Sequence, residues 1–266
     1  MGMDILAALL FVGLSVAGLL IVRKRVPLAL LEEHHEVAGI CFAVVGGLYG
    51  IILAFVMVSS WERYETARQD TETEASAAAD LYRHSAGFSE PARTRIGTAV
   101  LAYIESVVND EFPAITAGES SPPTQERYFA VWDALLSTHP EESWEVALYQ
   151  SSLDRLDDLA DGRRNRMFYL ESGLPGMIWT FLGVFGLITV GFTWMFGMPR
   201  LLPQVVITIV LAGTIAWTLI LVREAQTPFS GELNVGDRAF RVSLSFMQKQ
   251  QTVRVMALPT ATATPG

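Results

Sequence analysis

The chain has 266 residues, 51% of them apolar, with a mean hydropathy of +0.34 and a formal net charge of −9. That composition excludes an ordinary soluble domain of this size, and the lone Cys41 excludes a disulfide framework or a cysteine-based metal site within one chain. The charge is unevenly spread: residues 61–173 carry 10 Arg against 21 Asp and Glu, a balance of −11, which argues against nucleic acid or anionic lipid as a partner of that segment.

In chain order, the first element is an apolar run over 3–22. Only Asp4 precedes its apolar core, and the basic Arg23-Lys24-Arg25 follows it. This is the reverse of a signal peptide, so a retained transmembrane helix is expected. Three more runs of about 20 residues, the length that crosses a hydrocarbon core, lie at 37–59, 174–196 and 201–222. Cys41, inside the second run, reads as a small core residue.

Between the second and third runs the pattern is helical. Residues 62–85 continue the second span without Pro or Gly, and Gly87 ends them. Ser89-Glu90-Pro91 is a start signal with Pro in the first turn. Behind it, Ile96, Val100, Tyr103 and Val107 repeat as one helical stripe. The stretch 118–123 contains Ser-Ser-Pro-Pro and reads as a loop. A third helix is expected from Thr124 to before Pro140, and a fourth over 141–171 with Leu153, Leu156, Leu159, Met167 and Leu170 on one side. After the last span, 226–231 is turn-forming, 237–250 fits one short helix, and 257–266 reads as disordered.

The fold class is therefore an all-α integral membrane protein, with four transmembrane helices and a helical bundle inserted between spans two and three. The expected division is 1–59 for the first two spans, 60–173 for the inserted soluble domain, 174–222 for the last two spans and 223–266 for the tail.

No Walker loop, HExxH, GxSxG or dinucleotide fingerprint is present, so no catalytic residue is nominated. Glu32-Glu33-His34-His35-Glu36 is the one run with metal-type ligands. Neighbours on a helix point about 100° apart, so the run reads as a polar segment leading into the second span. No metal or cofactor is expected.

The second span carries the most specific pattern. Gly39, Ala43, Gly47, Ile51 and Phe55 lie at i, i+4 spacing, small toward one end and bulky toward the other. Gly46, Gly50 and Ala54 form a small-xxx-small row beside it. Two readings stand on periodicity: a pore-lining helix narrowed at Ile51 and Phe55, where apolar constrictions gate by dewetting, or ordinary packing in a helix bundle.

Ser60-Trp61-Glu62-Arg63-Tyr64, followed after two residues by Ala67-Arg68, resembles the Ser-Tyr-Asp-Arg-Trp-x-x-Ala-Arg run that follows the pore helix of bacterial bestrophins. Pro228-Phe229-Ser230-Gly231-Glu232-Leu233-Asn234 is similar to the Pro-Phe-Gly-x-Asp-x-Asn motif after the last bestrophin span, with Ser230 as an extra residue. Arg25-Val26-Pro27, Glu36-Val37-Ala38-Gly39 and Leu48-Tyr49-Gly50 extend the likeness to a prokaryotic family of bestrophin-like four-span proteins. The resemblance implies a homopentameric ion channel in the prokaryotic plasma membrane, with self, lipid and inorganic ions as partners and no nucleic acid. It implies neck positions at Ile51 and Phe55, with Gly47 where a third bulky residue stands in the family. Ser60, Trp61, Arg63, Tyr64, Arg68, Pro228, Phe229 and Gly231 become structural motif residues.

Four spans put the N-terminus, insert and tail on one side. The positive-inside rule read on Arg23-Lys24-Arg25 puts the insert outside the cell. Arg163, Arg164 and Arg166 with the tail's basic residues pull the other way, and the resemblance implies a cytoplasmic insert. Beside the channel stands a second class: a non-conducting membrane sensor or scaffold.

Overall fold

The computed structural model describes residues 2–33 and 35–257. His34 of the acidic-histidine run and all but the first residue of the tail end expected to be disordered lie outside them. The elements are α1 (Gly2–Arg25), α2 (Leu28–Glu33), α3 (His35–Ser85), α4 (Ala92–Ser106), a π-helical turn (Val107–Glu111), α5 (Phe112–Thr116), α6 (Pro122–Leu136), α7 (Ser143–Glu171), α8 (Gly176–Trp194), α9 (Leu201–Gln226) and α10 (Arg238–Ala257). Among the described residues there is no strand.

Helices α1, α3, α8 and α9 are long and apolar enough to cross a membrane. A bilayer core offers backbone groups no water, so helices of this kind must satisfy their hydrogen bonds internally. α3 is one unbroken helix of 51 residues, as the absence of Pro from 37 to 85 permits. The described residues form two compact units: those within 1–65 and 173–233, and those within 66–172 and 234–257. Residues 234–257, read from sequence as part of a separate tail, thus group with the inserted helices.

In the first unit α1 packs against α8 and α9, and α8 against α9. The core is Tyr49, Leu53, Leu182, Val190, Ala212 and Ile215. Tyr49 OH donates to the Leu182 carbonyl at 3.1 Å, so its polar end is satisfied within apolar surroundings. Gln204 Nε2 donates to the Thr193 carbonyl at 3.1 Å and the Phe196 carbonyl at 2.8 Å, tying the start of α9 to the end of α8 and the bend after it. Asp4 at the start of α1 is paired with Arg223 near the end of α9. The short α2, not expected from sequence, comes so close that a Cβ on Gly197 would lie 2.9 Å from the Glu32 backbone nitrogen. Cys41 departs from its expected core position: it is exposed, beside the face through which Ala38, Tyr49 and Leu53 of α3 are buried.

In the second unit, Ile96, Val100, Tyr103 and Val107 are all buried. Ser89 does not cap α4; its hydroxyl and amide both donate to Glu145 Oε1, at 2.6 and 3.0 Å, near the start of α7. On α7, Leu156 and Leu159 are buried, whereas Leu153, Met167 and Leu170 are half-buried. The buried row is instead Ser152, Leu156, Leu159, Arg163 and Arg166. Its spacing of four, three, four and three is helical, so the core-facing stripe passes from leucine to arginine.

The two arginines meet two glutamates. Arg166 donates through Nε and Nη2 to Glu74, both at 2.8 Å, and through Nη2 to Glu111 Oε2 at 2.8 Å. Arg163 Nη1 donates to the same Glu111 oxygen at 2.6 Å, and Nη2 to Gln125 at 3.2 Å. Tyr103 OH donates to Glu74. The Arg166 guanidinium also lies 5.5 Å from the ring centres of Phe112 and Phe240, the latter on α10. In the π-helical turn Val107, Val108 and Glu111 are buried while Asp110 is exposed, which places Glu111 beside the two arginines.

Burial opposes charge on Glu111, but the attraction of Arg166 and the hydrogen bond from Arg163 outweigh it and hold the carboxyl below its ordinary pKa. Burial likewise opposes charge on Arg166, and Glu74 and then Glu111 reverse that, keeping the guanidinium ionised. Removing one partner strands the others in a dry interior. Arg166→Ala is expected to cost about 3–5 kcal/mol, read as a fall in the thermal or denaturant midpoint in detergent. Because Glu111 is depressed on folding, its contribution is complete above the ordinary carboxylate pKa and is lost as pH falls through its lower folded value. Unfolding of the wild-type protein should show that acid-side loss, and Glu111→Gln should flatten it.

Candidate functional site

The second span shows its own chain only one face. Ala38, Tyr49, Leu53 and Ser60 are buried. The opposite face carries Val37, Ile40, Val44, Leu48, Ile51, Phe55 and Val58, all exposed, Phe55 at 72% and Ile51 at 58%. Only 11% of the apolar window of α3 is buried, as in α1, against 28% in α8 and α9. Gly47 lies on the same exposed side and has open space around it. The three expected neck positions, Gly47, Ile51 and Phe55, therefore share one face that the protomer leaves uncovered. Gly46 of the small-residue row sits against Thr189 of α8, where a Cβ would lie in van der Waals contact at 3.5 Å, while a Cβ on Gly50 would meet nothing.

Where this helix leaves its apolar stretch, the two motif segments come together. Ser60 is fully buried; its hydroxyl donates to the Val56 carbonyl at 2.7 Å and accepts from Gln226 Nε2 at 2.8 Å. Arg63 Nε donates to the Gln226 backbone carbonyl at 3.3 Å. Gln226 is the last residue of α9 and stands two positions before Pro228, so it ties the Ser60–Arg63 turn of α3 to the start of the Pro-Phe-Ser-Gly turn. Phe229 is buried. Trp61 is half-exposed and its ring lies 5.4 Å from that of Tyr64. Arg68 belongs to the other unit, where it pairs with Glu72 at 3.0 Å on the surface.

A glutamate organises the turn. Glu224 Oε2 accepts from the backbone nitrogens of Glu232 at 2.8 Å and Leu233 at 3.4 Å. Gly231 has φ +85°, a conformation that favours glycine, and a Cβ there would lie 2.3 Å from the same oxygen. Neither Glu224 nor Gln226 is singled out by spacing. The available signal is that both are polar residues in the last turn of an apolar helix, where free backbone groups need partners.

Among the described residues no group of three or more His, Cys, Asp or Glu side chains could hold a metal ion. A cleft of about 390 Å³ lies in the second unit between α3 and α7, lined by Gln69, Glu72, Thr73, Ser76, Ala77, Arg155 and Asp158. It has no nucleophile paired with a base.

The sequence over residues 9–240 matches the family described as Bestrophin-like domain. No curated protein matches the chain. Among solved structures, two variants of a bacterial bestrophin homologue from Klebsiella pneumoniae are 17% and 14% identical, with TM-scores of 0.67 and 0.68. The alignments cover 91% and 92% of this chain and 98% of each homologue. A third structure, of a membrane protein variant, aligns at 17% identity and a TM-score of 0.66 over 91% of this chain and 98% of its own. At such identities the likeness establishes a shared fold.

The backbone strain that alanine would introduce at Gly231, together with its clash on Glu224, should cost about 1–3 kcal/mol. Gly231→Ala should lower the thermal midpoint in detergent by the corresponding amount, and Gly236→Ala, where a Cβ meets nothing closer than 3.8 Å, should not.

Proposed function

As the chain belongs to the Bestrophin-like family, we propose that it is a homopentameric ion channel of the prokaryotic plasma membrane, with α3 of each subunit lining the pore. The observation that carries this reading is the uncovered face of α3. Val37 to Val58 spans about 32 Å at 1.5 Å per residue, the thickness of a hydrocarbon core. Five such faces around an axis would enclose a path whose bulkiest rings are Ile51 and Phe55. A ring of phenylalanines repels water, so it closes by dewetting and opens when the helices tilt or separate. Gly47, one turn before Ile51, widens the path on that side and leaves closure to two rings.

The inserted domain is proposed to face the cytoplasm. Its −11 balance, repeated around an axis, favours cations over anions near the path.

A second reading, a non-conducting sensor or scaffold, is favoured by one observation: the exposed face of α3 is apolar over its whole length, as a lipid-facing surface is. Stoichiometry separates the two. The channel reading expects a mass of five chains in mild detergent and unitary currents from the purified protein in planar bilayers. Phe55→Ala should raise the open fraction or conductance severalfold by removing the widest apolar ring. A monomer or dimer cannot enclose a path from one helix per subunit; that mass, or silent bilayers, overturns the channel.

A further inference from the structure

We infer that Glu62 sets the charge preference of the proposed pore, as a ring of carboxylates at the end of the apolar neck. This rests on the pore reading above. Seven residues separate Glu62 from Phe55, which is two turns, about 10.5 Å of rise, with the two side chains within about 20° of each other around the helix. Glu62 is likewise within about 20° of Ile51. It is exposed, as are Ile51 and Phe55, so all three belong to one uncovered face. Between Glu36 and Glu62 the helix has no Asp, Glu, Lys, Arg or His. Glu62 is therefore the first charged side chain that an ion leaving the neck in this direction would meet. The Nε of the adjacent Arg63 donates to the Gln226 carbonyl of α9. Behind the glutamate, Ser60 is fixed by its two hydrogen bonds, so the turn that carries Glu62 has a defined rotation.

The physics assigns separate tasks to neck and ring. An apolar neck excludes hydrated ions of either sign and has no means to tell them apart. Discrimination requires fixed charge close to the path, because screening limits the reach of an exposed carboxylate to about 10 Å at 0.1 M salt. The insert's acidic balance therefore acts only through carboxylates that stand beside the path, and Glu62 is the first such residue on this face. Rings of Asp or Glu concentrate cations in this way.

The test uses the full-length protein in planar bilayers under a KCl gradient, with the oligomeric mass of each variant checked against the parent. Glu62→Gln should lower the potassium-to-chloride permeability ratio by about threefold or more toward unity at 0.1 M salt. Glu62→Asp, which keeps the charge, should retain the parent ratio. The difference between parent and Glu62→Gln should vanish at 1 M KCl, where the screening length is about 3 Å. If Glu62→Gln does not assemble, Glu62→Ala carries the same expectation. Currents that respond to Phe55→Ala but keep their permeability ratio in Glu62→Gln overturn this inference and leave the pore intact. Absence of current from the parent overturns the pore and this inference with it.

Discussion

A helix buried on one face and apolar on the other needs a non-aqueous neighbour for the uncovered side. α3 is in that position from Val37 to Val58. Its chain supplies Tyr49, Leu53 and the residues they pack against on one side and nothing on the other. At about 25 cal/mol per Å² of apolar area, leaving such a face in water would cost many kcal/mol. The membrane removes that cost by being the solvent, and association of copies changes which neighbour is met. The remaining features of the first unit hold this helix in one rotation. Tyr49 fixes it against α8, Ser60 and Arg63 fix it against α9, and Glu224 with Gly231 fixes the turn that follows α9.

The second unit is held by a different device. Buried ion pairs contribute little net stability, because desolvation offsets most of their attraction. What they impose is geometry. Glu74 is on α3, Tyr103 on α4, Glu111 on the π-helical turn, Gln125 on α6 and both arginines on α7. These groups satisfy one another only when all five elements are in register. Leucines at 163 and 166 would pack in several ways; a planar guanidinium with carboxylates on two sides accepts far fewer.

Hydrophobic periodicity made much of this legible. The Ile96–Val107 stripe, the four spans and the continuity of α3 all follow from spacing and from the absence of breakers. The rest was hidden for physical reasons. On α7 the periodicity continues through Arg163 and Arg166, but apolarity does not, so a reading by hydrophobicity followed Leu153, Met167 and Leu170 instead. Glu74 and Glu111 are polar interruptions of otherwise apolar faces, and only three-dimensional pairing explains them. The π-helical turn adds one residue to a turn, which no propensity encodes. α2 is six residues long and has too little pattern to detect. At the candidate site, the exposed stripe through Gly47, Ile51 and Phe55 was readable from its i, i+4 spacing, whereas Gln226 and Glu224 act through backbone groups whose positions the sequence does not display.

The side chain of Gln204 reaches back from the first turn of α9 to carbonyls at the end of α8, and this bears on how the protein enters its membrane. Two apolar helices joined by a short connection form a hairpin, and the usual obstacle to burying one is the unpaired backbone at its bend. Here the hairpin carries its own partner for that backbone, and Thr208 and Thr193 pair beside it at 3.1 Å. The α8–α9 pair thereby supplies, from its own side chains, part of the hydrogen bonding that its bend needs. A bend partnered in this way can sit at the edge of the hydrocarbon at a lower desolvation cost.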